Sequence, residues 1–117
     1  MTMAETYAES ITLKTPEGGW LGQIVLTSNG MFASVTDWGN YSYAWRGYTG
    51  TFKEFLLQVN EGYFADKMVQ GFAYQRTPTK DDKRSAKQFA EKILPALQEH
   101  LRKEIAVHQQ TEVAEKP

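Results

Sequence analysis

The chain has no cysteine and only two histidines among its 117 residues. The first absence excludes disulfides and thiolate metal sites, and it fits a reducing, cytoplasmic compartment. The histidines, His100 and His108, are eight apart, which is not a metal-ligand spacing. An excess of one charge is also lacking: 13 Lys and Arg stand against 14 Asp and Glu, a net charge of −1. That balance argues against strong global attraction to nucleic acid or to an anionic membrane. No apolar run approaches the length of a membrane span. Residues 1–7 are neither basic nor followed by an apolar stretch, so no signal peptide is expected. No Gly-x-Ser-x-Gly elbow and no phosphate loop ending in Gly-Lys-Ser/Thr is present. The carboxylates of Asp37, Glu54, Glu61, Asp66, Asp81 and Asp82 show no spacing that marks a catalytic pair. These absences predict a protein that is not an enzyme and carries no cofactor.

What is present suits one domain. Residues 1–8 and 108–117 are poor in apolar anchors and are expected to be a flexible N-terminus and a disordered tail, leaving 9–107 as a single domain. Thirteen of the fifteen aromatics lie between Trp20 and Tyr74. Rings carry large buried area, so an aromatic-rich core is the plain expectation and a recognition surface the sharper one.

The first half alternates apolar and polar residues, as half-buried strands do. Segments 10–14, 20–27, 31–36 and 41–46 read as strands separated by turn residues. Asn29-Gly30 is a strong two-residue hairpin signal. A two-residue loop there sets Ile24 opposite Val35 and Leu26 opposite Ala33. A three-residue loop at Asp37-Trp38-Gly39, with Gly39 left-handed, sets Val35 opposite Tyr41 and Ala33 opposite Tyr43. The core face then holds Ile24, Leu26, Ala33, Val35, Tyr41, Tyr43 and Trp45, with Phe32 and Val25 as exceptions on the wet face.

The second half reads as helix. Thr51 and Glu54 form a capping box before Phe52, Phe55, Leu56 and Val59 at helical spacing. Residues 63–75 are ambiguous between a second helix and, over 70–75, a fifth strand, which is favoured. A long helix is expected from about Asp82, with a stripe from Ala86 through Leu101 to Ile105 and a kink at Pro95. The fold class is therefore α+β: an antiparallel meander of four or five strands with a short helix and a long C-terminal helix packed on one face.

Two stretches could hold a ligand. Arg46-Gly47-Tyr48-Thr49-Gly50-Thr51 leads from a strand through a glycine-containing loop into a helix, where free N–H groups and the dipole attract anions. A plain strand-to-helix turn explains the same residues. The second stretch is the basic cluster Arg76, Lys80, Lys83, Arg84 and Lys87, diluted by Asp81 and Asp82. It reads either as an exposed helix start or as a patch for phosphate or an acidic partner.

The run Thr36-Asp37-Trp38-Gly39-Asn40-Tyr41-Ser42-Tyr43-Ala44-Trp45-Arg46, with Phe55-Leu56-Leu57 and Tyr63-Phe64-Ala65-Asp66-Lys67-Met68, resembles uncharacterised small proteins encoded by tailed phages and prophages of enteric bacteria. The resemblance runs from about Ala8 to Glu104 and carries no catalytic motif. It implies an accessory protein that binds a host protein non-covalently, most plausibly inhibiting a defence factor. The residues themselves leave a nucleotide or nucleic acid as the alternative partner, on the 46–51 loop and the basic cluster. No membrane partner is expected, and a homodimer is compatible with the composition.

Overall fold

The structure, a computed structural model, describes residues 5–72 and 77–115, with side chains over 5–71 and 77–107. Four strands come first: β1 (Ala8–Lys14), β2 (Trp20–Thr27), β3 (Met31–Thr36) and β4 (Ser42–Ala44). Three helices follow: α1 (Phe52–Gln58), α2 (Glu61–Phe72) and α3 (Lys80–Glu115). The strands form an antiparallel meander in the order β1-β2-β3-β4, and the helices cover one face of it. This is the expected α+β architecture.

The register differs from the expected one at both later turns. Ile24 pairs with Ser34 and Leu26 with Phe32, so Ser28, Asn29 and Gly30 all lie in the turn. The Thr27 hydroxyl closes it by accepting from Met31 N at 3.0 Å, and Gly30 has a φ of +98°. A slip of one residue turns a strand over. Phe32, Ser34 and Thr36 therefore face the core, while Ala33 and Val35 face outward. The inward hydroxyls are satisfied: Thr36 Oγ1 donates to Gly39 O at 2.7 Å, and Ser34 Oγ donates to Tyr41 O at 3.1 Å. The second turn holds two residues rather than three, since Thr36 bridges Gly39 across Asp37 and Trp38. Phe32 consequently pairs with Tyr43 and Ala33 with Ser42. The two slips cancel at β4, and Tyr41 and Trp45 reach the core at 8% and 5% exposure.

The opposite face of the sheet is bare among the described residues. One row across it is Ser10, Val25, Ala33 and Ser42, and the next is Thr12, Gln23 and Val35. Gln23 Nε2 donates to Ser10 Oγ at 2.7 Å along this surface.

Each helix begins at a side-chain cap. Thr51 and Glu54 form the expected box at α1. Asn60 caps α2 by accepting from Tyr63 N at 2.8 Å. Thr79 and Asp82 exchange hydrogen bonds of 3.1 and 2.8 Å, so α3 starts at Lys80, two residues before the expected point. The favoured fifth strand is not formed where residues are described: 70–72 are the last turn of α2, and 73–75 lie outside the described residues. Helical spacing is what buries Phe64, Met68 and Ala65 together, which no strand could do. The α3 backbone is helical through Pro95 and on to Glu115, across residues 108–115 that were expected to be a disordered tail. That stretch has no glycine or proline to stop a helix. At the other end, Tyr7, expected in the flexible N-terminus, exchanges hydrogen bonds with Ser28.

The core joins Ile11, Leu13, Ile24 and Leu26 of the sheet to Leu56, Phe64, Phe89, Ile93, Leu97 and Leu101 of the helices. Rings fill its centre. Phe64 stacks on Phe89 at 6.1 Å and meets Phe32 edge-on at 5.3 Å.

Candidate functional site

The 46–51 loop leaves β4 and enters α1, as its sequence implies. Tyr48 lies half-buried against Phe52 and Phe55, with ring centroids 5.5 Å from each. Tyr48, Gly50 and Thr51 line a cleft of about 520 Å³ together with Leu26, Phe52 and Lys53. Its far wall is Tyr7, Ala8 and Glu9 at the start of β1. Arg46, Gly47 and Thr49 are not in its lining. The helix that the loop opens has seven residues, and its first turn is capped from within. Thr51 Oγ1 accepts from Glu54 N at 3.1 Å, and the Glu54 carboxylate accepts from Thr51 N at 3.4 Å. A carboxylate of the protein itself thus stands where an anion would bind.

Beside the cleft, three elements meet at Lys53. Its Nζ is 2.5 Å from Glu9 Oε2 of β1 and also contacts Glu104 Oε1 of α3. His100 Nε2 lies 3.3 Å from Glu104 Oε2. Burial lowers the Lys53 pKa, but hydrogen bonds to Glu104 and Glu9 and the charges of both outweigh it, leaving the pKa above the ordinary lysine value. Glu9, His100 and Glu104 present one ligand atom each, all within 4.8 Å of one another, a donor set that could hold a divalent ion. The Lys53 ammonium already bridges the two carboxylates. Sequence reasoning missed this cluster because Glu9, Lys53 and Glu104 are far apart in the chain.

The basic cluster is divided by the fold. Arg84 pairs with Asp81 at 3.4 Å on the exposed side of α3, and Lys80 is exposed. Arg76 lies outside the described residues. Lys83 and Lys87 turn toward α2 and line a groove of about 500 Å³ between the two helices. Ala65 and Val69 of α2 line it between the rims, and Glu61, Asp66 and Glu91 set negative charge beside the two lysines.

Family comparison bears on this arrangement. The model of a phage family matches residues 1–81, which span the whole sheet, α1, α2 and the start of α3. The chain belongs to this phage family. No curated protein and no solved structure matches it.

The aromatic row of the phage protein is core rather than platform. Trp45 packs among Tyr43, Phe52, Phe55 and Phe64, and its Nε1 donates to the Tyr63 hydroxyl at 3.0 Å. Tyr43 is half-buried, and the Lys67 ammonium lies 5.5 Å from both the Tyr43 and the Tyr63 rings. Faces occupied in this way cannot stack bases. Among the described residues no helix is long and apolar enough to cross a membrane.

Proposed function

We propose that this phage protein is an accessory factor that works by non-covalent binding of a host protein and inhibits it, defence proteins being the class its phage setting favours. The observation that carries this reading is the α2–α3 groove, with apolar Ala65 and Val69 between rims of both charges. An apolar centre with a polar rim is the anatomy of a protein-docking surface. Several charged groups are engaged within the chain: Lys53 on two carboxylates, Glu54 and Asp82 on caps, and Arg84 on Asp81 at the surface. That distribution favours a binding protein over an enzyme. The test is affinity capture from bacterial lysate with mass spectrometry, comparing the native chain with a variant carrying Lys83→Glu, Lys87→Glu and Asp66→Lys. A host protein held by the first and lost by the second, and whose activity falls on addition of the native chain, supports the reading. Equal capture by both variants, or none by either, removes it.

The cleft beside α1 favours a second reading, a nucleotide or other small ligand whose ring packs on Tyr48 in the cleft. A thermal-shift panel of nucleotides decides it, because a ligand at 100 times its Kd adds about 2.7 kcal/mol of stability. No shift with any member of the panel eliminates it.

A further inference from the structure

The bare face of the sheet is chemically unlike the rest of the surface. Charged residues make up 23% of the chain, yet neither central row of this face contains one. In β1 the charge with the parity of this face is Lys14, and it stands at a corner beside Trp20. In place of charge the face presents large apolar groups to solvent: Val35 at 56% exposure, Met31 at 51% and Trp20 at 44%. Solvated faces of small domains normally carry both signs of charge, at about a quarter to a third of positions.

We infer that this face is a self-association surface, and that its occupant is a second copy of the chain. A two-fold axis parallel to the strands, midway between the two copies and passing over Val25 and Ala33, lays each row over its own counterpart. Any charge on the central rows would then approach a like charge. Their neutrality removes that penalty, as an isologous interface requires. A different protein would need a code to read, and these rows offer only short hydroxyls, Gln23 and methyl groups. Two sheets stacked about 10 Å apart would bury Val25, Ala33 and Val35 at the centre.

Geometry also sets the strength. Strands of seven, eight, six and three residues, rising about 3.3 Å per residue and lying about 4.8 Å apart, give a plane of roughly 380 Å² per copy. Even with pleat and side chains added, the contact falls in the transient class, below about 1,200 Å² in total. The dimer is therefore weak and depends on concentration.

The test is sedimentation equilibrium of the full chain from roughly 10 μM to 1 mM, a window that brackets weak affinities. Native protein is expected to rise toward twice the chain mass. The exposed substitutions Ala33→Arg and Val35→Asp are expected to hold it monomeric with unchanged circular dichroism. Lys83→Glu, in the groove, is expected to leave dimerisation intact. Methyl NMR keeps the proposal testable should either variant misfold: Val25, Val35 and Met31 signals of the native chain should move with concentration. A monomer throughout the range overturns the inference, as does association that survives Val35→Asp or shifts confined to the helices. Loss of a captured host protein on Ala33→Arg would likewise overturn it, by giving the face to a different partner.

Discussion

Gly71 of α2 lies directly against the main-chain carbonyl of Ser42 in β4, so close that a methyl group at residue 71 would collide with it. The contact fixes how near the end of α2 approaches the short last strand. It also explains a glycine inside a helix, where glycine otherwise costs about 1 kcal/mol relative to alanine. The backbone of Ser42 cannot yield as a flexible side chain would. Gly71→Ala should therefore destabilise by about 1–3 kcal/mol, the usual cost of overpacking. Gly62, near the start of the same helix, has only an ordinary contact with Asn60 at 3.5 Å, so Gly62→Ala should be neutral or mildly stabilising. Urea unfolding of both variants checks the pair. Equal effects would mean that α2 does not press on β4 at Gly71.

Leu97 is fully buried midway along α3, two residues after Pro95. Leu97→Ala should cost about 2–5 kcal/mol. A loss below about half a kcal/mol would show that this part of the helix is not packed on the sheet.

The Lys53 cluster gives a pH signature. Its folded-state pKa lies above the unfolded value, so the ion pairs contribute fully below the ordinary lysine pKa and are lost as pH rises through the higher folded one. Melting temperatures of native protein and Lys53→Met should differ by a constant amount from neutral pH to about pH 9, and the gap should close above about pH 10.4, the unperturbed lysine value. A gap that closes near neutrality would assign the effect to another group.

Local signals in the sequence located the four strands, α1 and α3, because alternation, capping boxes and the α3 stripe are read within a few residues, while the end of α2 reads as a strand. Register was not legible. Asn29-Gly30 suits a two-residue turn, but Thr27 reaches over with its hydroxyl and adds Ser28 to the loop. Phe32, an outward exception in the expected register, is then a core residue, and two hydroxyls go inward only because Gly39 and Tyr41 carbonyls receive them. The candidate site was half legible. The 46–51 loop and the Lys83–Lys87 spacing could be read from the sequence, but the cleft wall at Tyr7 and the groove wall at Ala65 and Val69 come from long-range packing that no local pattern encodes.

Gly39 is the point where register, core and turn meet. Its φ of +124° is in the region that side chains avoid, and it bridges Thr36 in a turn tighter than expected. Conformation alone should cost a substituted residue about 1–2 kcal/mol, and asparagine would normally recover part of that. A second constraint acts here. A Cβ on residue 39 would stand 2.6 Å from Cε2 of Tyr41, whose ring is 8% exposed and packs 4.6 Å from Phe89. Tyr41 cannot swing aside without opening the core, which adds an overpacking cost of about 1–3 kcal/mol to any side chain. Gly39→Asn and Gly39→Ala should therefore both destabilise by more than the backbone term, with Gly39→Val worst. Chemical denaturation of the three variants ranks them. If Gly39→Asn restores native stability, the turn alone governs this position and Tyr41 is free to move; if all three lose more than about 2 kcal/mol, the tyrosine ring sets the limit.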